Sequence, residues 1–219
     1  WWKTWCPMHP ALDERTLFVG NGRALFAIDL YSGQRRWAFE ESPNTPLPLV
    51  PLRRQGNGRT SFERAFAPAL GPELVYGTVE IRRPYRPEIL NRVEISTYLP
   101  RRVLVALDRE TGELRWAMGN TPRDRLALSG YSIVSPCVLE GDAVYAVAAR
   151  HTGTHHSIAA VAFDAATGRL RWRQDLGLGQ QELNLFGTPV KELAAAAPAG
   201  QDGVLYLTRG LGFAAALDT

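Results

Sequence analysis

The sequence predicts an all-β fold built from serially repeated four-stranded antiparallel sheets. Three observations carry this. An eleven-residue pattern recurs three times without gaps. Each copy follows short, almost continuously apolar runs, and each is led further upstream by a proline. A repeat at such spacing marks an architecture in which every unit buries its faces against its neighbours.

The copies run from Ala27 to Trp37, from Ala106 to Trp116 and from Ala162 to Trp172. A fourth opens at Ala216-Leu217-Asp218-Thr219. The shared pattern is Ala-x-Asp-x-x-(Ser/Thr)-Gly-x-x-x-Trp. Its aspartates, Asp29, Asp108, Asp164 and Asp218, are spaced by 79, 56 and 54 residues. The leading prolines are Pro10, Pro68, Pro136 and Pro189. Each unit therefore reads as a Pro-led short strand, an apolar strand, a second apolar strand ending in Asp, a turn, and a strand carrying Trp.

The apolar runs predict strands buried on both faces. Leu104 to Leu107, Ile158 to Phe163 and Phe213 to Leu217 are nearly all apolar, whereas a one-sided sheet would alternate. The last strand of a unit does alternate: Leu170 and Trp172 face one way, Arg171 and Arg173 the other. That is the pattern of an outer edge protected by charge. In the turn, the Asp carboxylate accepts from backbone N–H groups two or three residues on, with the Ser or Thr hydroxyl assisting. Gly33, Gly112 and Gly168 supply the positive φ that closes it. No Trp-Asp dipeptide of the other common propeller repeat occurs, and the β-branched and aromatic runs lack a helical period.

Four-stranded sheets buried on both faces and repeated in series describe a β-propeller. The expected blades cover about 6–41, 65–119, 131–177 and 187–219, the last truncated. Insertions are expected at about 42–64, a Pro- and Gly-rich connector, and at about 78–100, a hairpin extension of the second blade. Loops on one face of such a fold are the places for a protein partner or ligand.

The repeat resembles the tryptophan-docking motif of the pyrroloquinoline-quinone (PQQ)-like propeller family. That family includes quinoprotein alcohol dehydrogenases and a propeller lipoprotein of outer-membrane barrel assembly. The resemblance implies that Trp37, Trp116 and Trp172 pack on the neighbouring blade, and that Asp29, Gly33, Asp108, Gly112, Asp164 and Gly168 are structural turn residues. It also implies a ring of about seven or eight blades. The chain is then a partial ring of about three blades plus most of a fourth, with the remaining blades of its own chain as partners. The side faces of its end blades are expected to drive self-association. The start, Trp1-Trp2-Lys3-Thr4-Trp5, shows neither an initiator Met nor a signal segment. The resemblance alone implies a periplasmic or otherwise extracytoplasmic location.

Charge and cysteine usage narrow the chemistry. The 219 residues carry a net charge of +3, and 23 of the 25 basic residues are Arg. The Arg pairs are scattered, which argues against nucleic acid as a partner. No apolar stretch reaches the roughly 18–20 residues that span a bilayer. Cys6 and Cys137 fall near the leading prolines of blades one and three, too far apart for a disulfide. His151, His155 and His156 read as a hairpin loop and are weak metal candidates without a carboxylate or thiolate partner. Cys6-Pro7-Met8-His9 is a soft-ligand set that lacks further cysteines.

No residue is assigned a catalytic role. Family enzymes use PQQ, a calcium ion held by carboxylate and amide oxygens, an Asp base and often an adjacent Cys pair. This sequence has no adjacent Cys pair, and its repeat Asp residues recur identically, as turn residues do. The first reading is a non-catalytic scaffold or binding propeller without evident cofactor. The alternative is part of a PQQ-dependent dehydrogenase whose cofactor and calcium ligands lie in other blades.

Overall fold

The computed structural model describes residues 9–40, 66–81, 88–90, 93–95, 102–152, 155–180, 197–209 and 213–219. The expected 42–64 insertion, Cys6 and Pro189 lie outside them.

The first sheet contains β1 (Ala11–Leu12), β2 (Thr16–Gly20), β3 (Ala24–Asp29) and β4 (Arg35–Glu40), in sequence order. The second is built from β5 (Ala69–Leu70) and β6 (Leu74–Glu80). A separate two-stranded pair, β7 (Glu88–Leu90) and β8 (Val93–Ile95), intervenes before β9 (Arg102–Asp108) and β10 (Leu114–Ala117) complete it. Glu80 pairs with Arg102, so β6 and β9 are antiparallel neighbours although residues 81–101 separate them in the sequence.

A short helix, α1 (Pro122–Ala127), leads to the third sheet. The apolar-run reading did not foresee this helix. Its local signals are Thr121, whose side chain accepts from the Asp124 N–H, and Pro122 in the first turn. In the third sheet, β11 (Ser132–Ile133) and β12 (Val138–Glu140) both pair with β13 (Ala143–Thr152). Then follow β14 (His155–Asp164) and β15 (Leu170–Gln180). The fourth sheet has β16 (Ala199–Gln201), β17 (Val204–Arg209) and β18 (Phe213–Asp218).

All neighbouring strands are antiparallel, so their ends sort into two groups. The short turns between first and second strands close one end of the first, second and fourth sheets, and the motif turns close the same end of the first three. The longer connections leave the other end, where β4, β6, β10 and β15 finish.

The core lies between sheets. Val103 to Leu107 of β9 are 0% exposed, because β9 is covered by sheet one on one face and by sheet three on the other. One apolar cluster joins sheets one to three and a second joins sheets three and four. Outer strand β4 alternates, with Trp37 and Phe39 inward and Arg35, Arg36 and Glu40 in solvent. Successive antiparallel sheets stacked through both faces, without barrel closure, make this a partial β-propeller.

Candidate functional site

The repeated motif builds the joints between sheets one and two and between sheets two and three. Within one copy, the turn closes on itself. The Gly33, Gly112 and Gly168 N–H groups donate to the carbonyls of Asp29, Asp108 and Asp164 at 2.9, 2.9 and 2.8 Å. All three glycines have positive φ, between 68° and 74°. The carboxylate Oδ1 atoms accept from the N–H of Ser32, Thr111 and Thr167 at 2.8, 2.9 and 2.9 Å. The same three hydroxyls also donate to them.

The joint itself forms between copies. Trp37 donates its indole N–H to the Arg109 carbonyl of the next motif at 2.9 Å, and Trp116 donates to the Ala165 carbonyl at 2.9 Å. Each ring lies on the next turn glycine. A Cβ on Gly112 would come within 2.6 Å of Trp37, and one on Gly168 within 2.4 Å of Trp116. These glycines are needed twice, for φ and for the close approach of an indole. Gly33, at the head of the series, has nothing within 4 Å of such a Cβ. Trp172 is half-buried and meets Tyr145 at 5.9 Å between ring centroids.

Two further repeated positions were missed in the sequence. Opposite the motif alanines Ala27, Ala106, Ala162 and Ala216 stand Phe18, Tyr76, Tyr145 and Tyr206. The first three lie against the Trp of their own sheet at about 6 Å. Tyr76 also donates to the Ala165 carbonyl at 3.3 Å, sharing it with Trp116. The signal was an aromatic two or three residues into each second strand.

The other position is the Arg before each Trp: Arg36, Arg115 and Arg171. In all three copies the register slips by one residue there, a bulge that leaves this Arg out of the pairing. Arg115 returns to the Asp108 carboxylate at 2.7 Å. Arg171 grips both Asp142 and Asp164. Arg36 instead reaches Glu110 of the next motif at 2.9 Å. Arg109 adds a second tie across sheets one and two, donating to Asp13 at 2.5 Å and to the Gly71 carbonyl at 2.7 Å.

These contacts set the electrostatics. Arg115 first, and the turn N–H of Thr111 next, hold the Asp108 carboxyl down at about 2. Arg171 and then the Thr167 hydroxyl hold Asp164 at about 2 as well. The Ser32 N–H lowers Asp29. A carboxylate so strongly acidic is a poor proton acceptor near neutrality. In Asp108 and Asp164 one oxygen accepts from the turn and the other from the Arg of the following strand. Asp108 and Asp164 therefore do not fit the role of the proton-accepting base that PQQ chemistry requires.

The histidine segment is not a loop. Strands β13 and β14 run through it, leaving only residues 153–154 between them. His151 pairs with His156 and Thr152 with His155. Among the described residues, no three His, Cys, Asp or Glu residues are grouped to hold a metal ion. Cys137 is a buried free thiol, pushed up to about 12 by burial. No described helix is long and apolar enough to cross a membrane.

Stacked sheets joined Trp-to-turn define the class: a partial β-propeller of the PQQ-like repeat type. The family described as outer membrane protein assembly factor BamB matches residues 100–219. The chain belongs to that family. No curated protein matches it. Among solved structures, the computationally designed Ika4 protein is similar at 10% identity over 95% of this chain and 88% of its own, with a TM-score of 0.48.

Proposed function

We propose that this protein is a non-catalytic propeller scaffold that binds a protein partner in the assembly of outer-membrane proteins, outside the cytoplasm. The family description supports the setting. One structural observation carries the non-catalytic reading. Every described motif carboxylate with a complete turn is committed to that turn, and Asp108 and Asp164 are held at about 2. In this reading the Trp residues serve as inter-blade joints. The end of the sheets from which β4, β6, β10 and β15 run on is the recognition face, because chain length there is spent on connections beyond what the fold needs.

The test is reconstitution of the full-length protein with PQQ and calcium, followed by dye reduction with alcohols and sugars. No reduction is expected. Turnover above that of the cofactor alone would establish the dehydrogenase reading instead. Fractionation of cells producing the tagged protein should place it outside the cytoplasm.

A further inference from the structure

We propose that the third sheet carries, at the end opposite its motif turn, a site for a carboxylate side chain of a partner polypeptide. Arg150, Arg173 and Ser157 build it, beside the exposed Leu126 and Leu178. The proposal deepens the scaffold reading by giving the chemistry of the partner, and rests on that reading only for the partner's being a protein.

The third sheet departs from the repeat at this end, from which β15 runs on. Its strands β13, β14 and β15 have 10, 10 and 11 residues, against four to seven for the corresponding strands of the other sheets. It also has two strands, β11 and β12, where each of the others has one. The added length carries residues that the repeat does not ask for. Arg150 stands five positions after Tyr145, where the second sheet has the buried Ile81 five after Tyr76. Arg173 follows Trp172, where Ala38 and Ala117 follow Trp37 and Trp116. Neither arginine is a motif residue.

Register collects these side chains on one face. Arg150 pairs with Ser157, and Ser157 with Leu178. Asp175 pairs with Ala159 and Arg173 with Val161, at every second position along β14 from Ser157. Tyr131, just before β11, covers this face. The guanidinium carbons of Arg150 and Arg173 lie 5.0 and 5.1 Å from its ring centroid, a cation–π arrangement. The Arg150 stem passes Gly130, where a Cβ would come within 3.1 Å of it. Both guanidinium groups are thus held in place by packing, so little side-chain entropy is lost when they bind.

The charges of the cluster do not balance. Asp175 accepts from the Tyr131 hydroxyl at 3.1 Å and pairs with the Arg173 Nε at 3.3 Å. Arg173 also donates to the Ala127 carbonyl. The Arg150 side chain makes no hydrogen bond or ion pair with a described residue, and its Nε is buried. A guanidinium can only donate, and a buried donor left unpaired is destabilising. Arg150 is therefore the group that calls for an acceptor. The Ser157 hydroxyl, across the ladder from it and half-buried, offers a further donor. Two guanidinium groups beside one carboxylate leave one positive charge. A single carboxylate neutralises that charge and fits the planar guanidinium fork, whereas a phosphate dianion exceeds it. Leu178 is 68% exposed and Leu126, next to Ala127, is 81% exposed. They favour an acidic residue with apolar neighbours in its own chain.

Fluorescence anisotropy with two labelled peptides tests this on the protein. One peptide has a glutamate flanked by leucines, and the other has glutamine in its place. The glutamate peptide is expected to bind about tenfold or more tightly than the glutamine peptide. Arg150→Gln is expected to weaken the glutamate peptide by about tenfold or more, one charge-assisted pair. Because Arg150 packs on Tyr131, a second variant leaves both arginines in place. Ser157→Glu sets a carboxylate across the ladder from Arg150, and is expected to abolish peptide binding while raising the melting temperature. Circular dichroism confirms that both variants fold. Inorganic phosphate and anionic phospholipid vesicles are titrated in parallel. The proposal is overturned by equal binding of the two peptides, by no binding of either, or by undiminished binding to either folded variant. Phosphate or vesicles bound through Arg150 in preference to the glutamate peptide would overturn it too. Turnover with PQQ would remove the scaffold reading and leave Arg150-dependent peptide binding standing, whereas absent peptide binding removes this proposal alone.

Discussion

The indole of Trp116 lies against Gly168 so closely that a Cβ there would stand 2.4 Å from the ring. The two residues are 52 positions apart and belong to successive copies of one motif. The turn glycine is thus as much a part of the joint as the tryptophan.

This gives a comparison between equivalent glycines. Gly168→Ala meets both a positive φ of 69° and the Trp116 ring. Gly33→Ala meets a φ of 68° and open space. The first is expected to cost about 2–4 kcal/mol by combining backbone strain with overpacking, and the second about 1–2 kcal/mol from strain alone. Urea unfolding of the two variants measures the difference. Equal losses would mean that indole contact adds nothing at Gly168.

Removing the ring should be more severe than removing one of its hydrogen bonds. Trp116→Ala vacates a nearly buried site beside Tyr76 and Phe163 and is expected to cost about 3–5 kcal/mol. Tyr76→Phe loses only its bond to the Ala165 carbonyl, about 0.5–1.5 kcal/mol, since Trp116 still satisfies that oxygen. The same denaturation series checks both values.

Acid should loosen the motif turns late. Asp108 and Asp164 have folded values of about 2 against an ordinary 3.8. A depressed folded value means that stability is fully present above 3.8 and is lost as pH falls through about 2. The Asp164→Asn variant should flatten the loss of thermal stability between pH 4 and 2. An unchanged slope in that window would separate these carboxylates from acid unfolding.

Cys137 reports on opening of the core. Burial pushes its thiol up to about 12, and its Sγ lies 3.5 Å from the Tyr76 carbonyl oxygen. In a Cys6→Ser background at pH 8, maleimide is expected to leave native protein unlabelled and to modify it fully in denaturant. Because the folded value is raised above the ordinary 9.0, the stability linked to keeping this thiol neutral is fully present below about 9 and is lost as pH rises through about 12. Rapid labelling of the native state at pH 8 would contradict this burial.

Much of the architecture was readable from residue order alone. The continuous apolar runs around Val105 and Val161 could be satisfied only by cover on both faces, and that requirement forces stacked sheets. The Asp–Ser/Thr–Gly spacing is local, so the turn chemistry followed from a few consecutive residues. The partners in each joint did not. Trp37 and Gly112 are 75 residues apart, and nothing in either copy states that the ring of one serves the glycine of the next. The bulge that turns Arg115 and Arg171 back onto their aspartates depends on register across two strands, as does the pairing of His151 with His156 and of Thr152 with His155. Sequence by itself determined the repeat, the strands and the turns, because these obey short-range periodicity. Only the tertiary structure decided which copy meets which, because that choice is made by the stacking of whole sheet faces.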